Sequence, residues 1–169
     1  MESEHGMSGN QERKSRPVAI VTGASGGIGE ATALALAAAG YRVFGTSRDA
    51  ASADFGKLDR LGIRDQLALR SMAPTDFRSV HAAIEWAQPD EIYALAGQSS
   101  VGLSFEMPAE TLESIVLGTL NLLEAVRAHA PEAAVVVASS GEVYGPPERL
   151  PVTEDAPLRP HPALAYATH

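Results

Sequence analysis

Val18-Ala19-Ile20-Val21-Thr22-Gly23-Ala24-Ser25-Gly26-Gly27-Ile28-Gly29 carries an apolar run straight into a glycine-punctuated turn that opens a helix. The helix is expected over residues 30–39, with Gly40 to stop it. Strand before and helix after are the context that gives a glycine triplet meaning. Gly23 permits a tight turn off the strand, Gly26 or Gly27 lets main chain approach a pyrophosphate, and Gly29 lets the helix pack closely on the sheet. The unpaired N–H groups at the helix start then face the phosphates. Thr22, Gly23, Ser25, Gly26, Gly27, Ile28 and Gly29 are therefore candidate cofactor-binding residues.

Around this stretch, the chain of 169 residues has the length of one domain, is 45% hydrophobic and carries a formal net charge of -8. That charge, without a basic patch, argues against nucleic acid and anionic membrane surfaces as partners. The absence of cysteine excludes disulfides, thiolate zinc sites and a cysteine nucleophile, and fits a reducing cytoplasm. The five histidines fall at spacings that make no ligand set. No stretch is long enough to cross a bilayer. Residues 1–16 are polar and without periodicity, expected to be a disordered leader or expression remnant, which leaves residues 17–169 as the folded domain.

Strands and helices alternate along the chain. A second strand is expected over residues 42–47, a short helix over 53–61, a third strand over 66–71, and a helix capped by Thr75 or Asp76 with Phe77, Val80, Ile84 and Ala87 at helical spacing. Trp86 on this helix reads as a packing residue. A fourth strand over 91–95 runs into the small-residue loop Ala96-Gly97-Gln98-Ser99-Ser100-Val101-Gly102. A long helix over 109–129 presents Leu112, Ile115, Val116, Leu120, Leu123 and Val126, part of a face suited to meeting another subunit. The fifth strand, over 133–138, reads as buried on both sides. Six prolines between Gly141 and Leu164 then predict a long surface loop. The alternation predicts an α/β fold with a doubly wound, mainly parallel sheet, the Rossmann arrangement.

At the end of the second strand, Ser47 and Arg48 stand where an acidic side chain would bond the adenosine ribose and repel a 2′-phosphate, which favours NADP over NAD. Asp49 directed at the ribose would reverse that preference. Loops at the carboxyl ends of parallel strands hold ligands, which adds Leu95, Ala96, Gly97 and Ser99 to the cofactor-binding set.

From Arg42 onward the chain resembles extended short-chain dehydrogenase/reductases of the epimerase/dehydratase type, and among them is similar to the GDP-mannose 4,6-dehydratases. The residues that carry this are Pro89-Asp90-Glu91-Ile92-Tyr93, then Leu95-Ala96-Gly97-Gln98-Ser99-Ser100-Val101-Gly102-Leu103-Ser104-Phe105, Gly118-Thr119-Leu120-Asn121-Leu122-Leu123-Glu124-Ala125 and Ser139-Ser140-Gly141-Glu142-Val143-Tyr144-Gly145. Two positions depart from the family. Gly27-Ile28 stands where those dehydratases usually carry Gln-Asp, and Ala73 lies near a customary adenine-binding aspartate.

The resemblance implies a catalytic tyrosine at Tyr166 and a lysine four residues later, at position 170, beyond His169. The chain is thus expected to be a member cut short before that lysine and before the sugar-binding lobe. The resemblance further implies that Tyr166 takes the proton of the sugar 4-hydroxyl while hydride passes to NADP, with Ser140 bonding the oxygen. Glu142 would then take the carbon 5 proton and protonate the departing 6-hydroxyl. Without that role for Glu142, the frame suits another sugar-nucleotide epimerase or reductase, or a short-chain dehydrogenase. A non-catalytic cofactor-binding fragment is the remaining alternative.

Overall fold

The structure, a computed structural model, describes residues 16–51, 67–98 and 100–160. Five parallel strands lie in the order β3-β2-β1-β4-β5: β1 Val18–Thr22, β2 Arg42–Ser47, β3 Leu67–Ser71, β4 Glu91–Ala94 and β5 Ala134–Val137. The helices are α1 Gly27–Ala38, α2 Phe77–Ala87, α3 Val101–Glu106, α4 Pro108–Leu112 and α5 Gly118–His129. From β1 the chain winds outward through β2 and β3, then returns to the other side of β1 for β4 and β5. The strand order therefore reverses between β1 and β4, where sheets of this kind open a ligand crevice at their carboxyl ends.

Side-chain alternation sorts the two faces. Ala19, Val21 and Val43 turn to α1, which meets them with Ala33 and Leu36. Ile20, Phe44 and Ile92 turn to α2 and α5 and pack with Val80, Ile84, Leu122 and Val126. Complete burial of each large apolar side chain contributes about 1.5–3 kcal/mol. A slip of one residue would send bulky chains to the close-packed α1 face, so the pattern fixes the register.

Several elements depart from the sequence expectation. Helix α1 begins at Gly27, and Gly40 ends its turn with φ +91, a conformation glycine adopts without strain. The loop after β4 contains α3, because the Ser100 hydroxyl accepts from Leu103 N and caps a new helix. The expected helix 109–129 starts at Pro108 and is divided by a π turn at Glu113–Leu117. Its buried stripe is Leu122, Ala125 and Val126, while Leu120 and Leu123 face outward. Strand β5 is not buried on both sides: Val136 is 51% and Val137 42% exposed, since β5 is an edge strand among the described residues. Trp86 packs edge-on against Phe44, with centroids 4.5 Å apart, and yet stays partly exposed. The expected helix over 53–61 lies outside the described residues.

One tie joins α5 to the turn before α2 and another joins α5 to α2 itself. Asn121 Nδ2 donates to the Pro74 carbonyl at 2.9 Å, and His81 Nδ1 lies 3.0 Å from His129 Nε2. The histidine pair is 48 residues apart in the chain, so linear spacing conceals it. After β5, a 3-10 turn at Gly141–Tyr144 leads into an irregular proline-rich segment that folds back, Arg159 N donating to Val143 O at 2.9 Å.

Candidate functional site

The glycine turn has the conformation its sequence requires. Gly23 takes φ +72 beside Ala96, and Gly29 sits so close to Gly23 that a Cβ there would overlap the Gly23 carbonyl oxygen. Gly26 is extended and Gly27 has φ +56, and a Cβ built on either meets no atom within 4 Å. Gly26 caps α1 without any side-chain bond, so the first-turn N–H groups stand at the positive end of the helix dipole with open space before them. Ile28 in that first turn is 77% exposed. The helix start thus leaves open space at Gly26 and Gly27, the condition an anion at a helix N-terminus requires.

Next to the turn, β2 brings up the second group. Ala24 N donates to Thr46 O at 2.9 Å, and the Ser47 hydroxyl lies 3.3 Å from that of Ser25. Arg48 is exposed beyond them. Asp49 Oδ1 accepts from Ala51 N at 3.0 Å, closing a local turn within its own loop.

Across the switch point, a cavity of about 460 Å³ opens at the carboxyl ends of β1, β4 and β5. Thr22, almost wholly buried, accepts from Leu95 N at 2.9 Å and Ala96 N at 2.8 Å. It thereby pins the start of the β4 loop to the end of β1. Leu95, Ala96 and Gly97 follow along the cavity wall, and a Cβ on Gly97 would meet open space. Gln98 Oε1 accepts from Ser100 N at 2.7 Å and holds the loop in its bend. Ser140 and Glu142 close the far end. The Ser140 hydroxyl accepts from Glu142 N at 3.2 Å, so the cap of the 3-10 turn also sets where Glu142 stands.

Of the residues singled out from sequence, the structure thus gathers Thr22, Leu95, Ala96, Gly97, Ser140 and Glu142 around one cavity. Gly23, Ser25, Gly26, Gly27, Ile28, Gly29, Ser47 and Arg48 lie on or beside the adjoining glycine turn. Ser99 and Tyr166 lie outside the described residues. Sequence reasoning missed Pro74, Ser114, Gly118 and Thr119, which also line the cavity. Their one signal was the Gly118-Thr119 motif, noted for resemblance but given no physical role. Among the described residues, no group of three metal-ligating side chains occurs, and no helix is long and apolar enough to cross a membrane.

A parallel doubly wound sheet, an uncapped glycine turn after β1 and a cavity at the strand-order reversal define a Rossmann domain of the short-chain dehydrogenase/reductase class. A family model described as GDP-mannose 4,6 dehydratase matches residues 20–168, and the chain belongs to that family. GDP-mannose 4,6 dehydratase 2 of Arabidopsis thaliana is 32% identical over 91% of this chain and 44% of its own length. GDP-mannose 4,6-dehydratase of Yersinia enterocolitica is 34% identical over 88% of this chain and 42% of its own. Among solved structures, UDP-glucose 4-epimerase of Thermus thermophilus in complex with NAD superposes with a TM-score of 0.74 and 30% identity, over 89% of this chain and 47% of that one. The chain spans less than half the length of these curated relatives.

Proposed function

We propose that this chain forms the dinucleotide-binding part of an NADP-dependent GDP-mannose 4,6-dehydratase, a lyase that makes the GDP-bound 4-keto-6-deoxy sugar. The observation that carries the reading is the cavity at the carboxyl ends of β1, β4 and β5 whose lining includes both Ser140 and Glu142. Residues 17–169 form the Rossmann domain in this proposal, and the sugar-binding lobe lies outside it.

The pyrophosphate is held by the main chain of Gly23, Ser25, Gly26, Gly27, Ile28 and Gly29, with Thr22 fixing the neighbouring loop. Leu95, Ala96, Gly97 and Ser99 flank the rest of the cofactor. The choice of NADP is supported by the hydroxyls of Ser25 and Ser47 side by side, with the Arg48 cation next in the chain. It is supported also by the Asp49 carboxylate bonding within its own loop. The dinucleotide, when bound, supplies a hydride acceptor for carbon 4 and a hydride donor for carbon 6.

Ser140 bonds the sugar 4-oxygen, and Tyr166 takes the proton from the 4-hydroxyl. A neutral phenol is a weak base near neutrality, so Tyr166 needs neighbouring positive charge to act. The resulting ketone acidifies carbon 5. Glu142 then removes that proton and delivers a proton to the departing 6-hydroxyl, which leaves as water. Hydride return to carbon 6 is balanced by a proton to carbon 5, equal to the one taken from the 4-hydroxyl. Exposure of Glu142 at the cavity end suits a group that meets a substrate entering from outside. The exposed outer side of α4, the π turn and α5, with Leu112, Val116, Leu120 and Leu123, is proposed as a contact between copies in a homo-oligomer. A cysteine-free chain suits the cytoplasm as its setting.

Incubation of the full-length protein, carrying the lysine and sugar-binding lobe that the reading requires, with GDP-mannose and NADP tests it, with chromatographic detection of a 4-keto-6-deoxy sugar as the expected result. The 169-residue chain alone should bind NADP without turnover. Unchanged GDP-mannose beside turnover of another nucleotide sugar would reassign the chemistry to an epimerase or reductase.

A further inference from the structure

The turn between β3 and α2, residues 72–75, stands one strand beyond Ser47. Binding of the pyrophosphate at the β1–α1 turn and of the ribose at the end of β2 directs the adenosine end toward this side of the sheet. Met72 and Pro74 line the cavity wall here. The Ala73 methyl offers no hydrogen bond to a base, so contact must come from shape, and the position of the turn matters correspondingly.

That position is set partly from outside the turn. Ala73 O accepts from Asp76 N at 3.0 Å within the β3–α2 connection, and Ala73 N donates to Ser79 Oγ, in the first turn of α2, at 3.1 Å. The Pro74 carbonyl is held from α5, by Asn121 Nδ2 at 2.9 Å. On the same helix, a Cβ on Gly118 would come within 3.1 Å of Pro74 Cβ, so glycine there lets α5 approach the proline more closely than a larger residue would by a few tenths of an ångström. Gly118 and Asn121 are one helical turn apart and grip the same residue.

We propose that Asn121 is a positioning residue: its carboxamide holds Pro74 so that the 72–75 turn forms the wall against which the adenosine end of the dinucleotide lies. The inference rests on the dinucleotide reading above. It gives Gly118-Thr119-Leu120-Asn121 a physical purpose, because the residue that sets the cofactor wall sits on a helix whose next turn builds the core.

The test is calorimetric titration of parent, Asn121→Ala and Asn121→Ser proteins with NADP, NAD and the adenosine fragments 2′,5′-ADP and AMP, beside thermal unfolding of each. Asn121→Ala should weaken the preferred dinucleotide and its adenosine fragment alike, by about tenfold. Asn121→Ser, which keeps a donor at the position, should recover part of that loss. A lower unfolding midpoint with unchanged affinities in both variants would overturn the inference while leaving the dinucleotide reading intact. A parent that binds neither dinucleotide would overturn both.

Discussion

Gly29 lies so close to Gly23 that a Cβ on the first would overlap the carbonyl oxygen of the second, whereas nothing within 4 Å obstructs a Cβ on Gly26. The glycines of one turn therefore do different work. Gly29→Ala should destabilise the fold by at least the ~1–3 kcal/mol typical of overpacking, read by urea unfolding. Gly26, extended at φ -177, should accept alanine with a stability change within about 0.5 kcal/mol, yet lose dinucleotide affinity because the new methyl occupies the phosphate approach. Equal stability losses at the two positions would contradict this division.

At the opposite end of the sheet, the Glu91 carboxylate accepts from Tyr41 at 3.0 Å and from Tyr93 at 2.7 Å. The hydrogen bond to Glu91 holds both phenols above their ordinary range, with nearby negative charge and partial burial adding to it. Groups raised on folding stabilise the protein below their unfolded value and lose that contribution as pH rises through the folded one. Stability should accordingly fall above about pH 10. In Glu91→Gln, ultraviolet titration should find the two tyrosines ionising at lower pH than in the parent. Coincident titration curves would remove Glu91 as the cause.

His81 and His129 meet at 3.0 Å, and the other ring nitrogen of His81 is buried without a partner. Loss of one member strands the other, so His129→Ala should cost about 1–3 kcal/mol in chemical denaturation. His81→Phe with His129→Leu should be milder than the single change, since both unmet polar groups disappear together. A double variant weaker than the single would show that the pair contributes net stability.

Glu142 takes its place from the Ser140 cap and points no side chain into the core. In the full-length protein, the acid–base role proposed for Glu142 predicts that Glu142→Gln retains NADP affinity and fold while slowing the elimination step by at least about a hundredfold, the usual weight of a positioned acid–base group. Activity equal to the parent would remove Glu142 from the chemistry.

The succession of strands and helices and the shape of the glycine turn were legible because apolar runs and glycine positions are local signals. Ile20, Phe44 and Ile92 announce strands by themselves, and Gly29 announces close packing. What escaped was set by tertiary partners. Leu120 and Leu123 are as apolar as Leu122, yet the direction of α2 decided which of them was buried. β5 reads as a central strand by its valines, but its position at the edge of the described sheet leaves Val136 and Val137 exposed. In the loop after β4, Ser100 was read as a small loop residue, whereas its hydroxyl starts a helix. Pro74 carried no signal at all, since its place in the cavity depends on Gly118 and Asn121 from another helix.

The central claim is that the open turn at Gly26 and Gly27, flanked by Ser25, Ser47 and Arg48, takes up a phosphorylated nicotinamide dinucleotide. Calorimetric titration of the folded protein with NADP and NAD tests it most directly, with Arg48→Ala alongside. The account predicts saturable binding with NADP tighter than NAD, and loss of that preference in Arg48→Ala. Absence of heat with both dinucleotides on folded protein would contradict it.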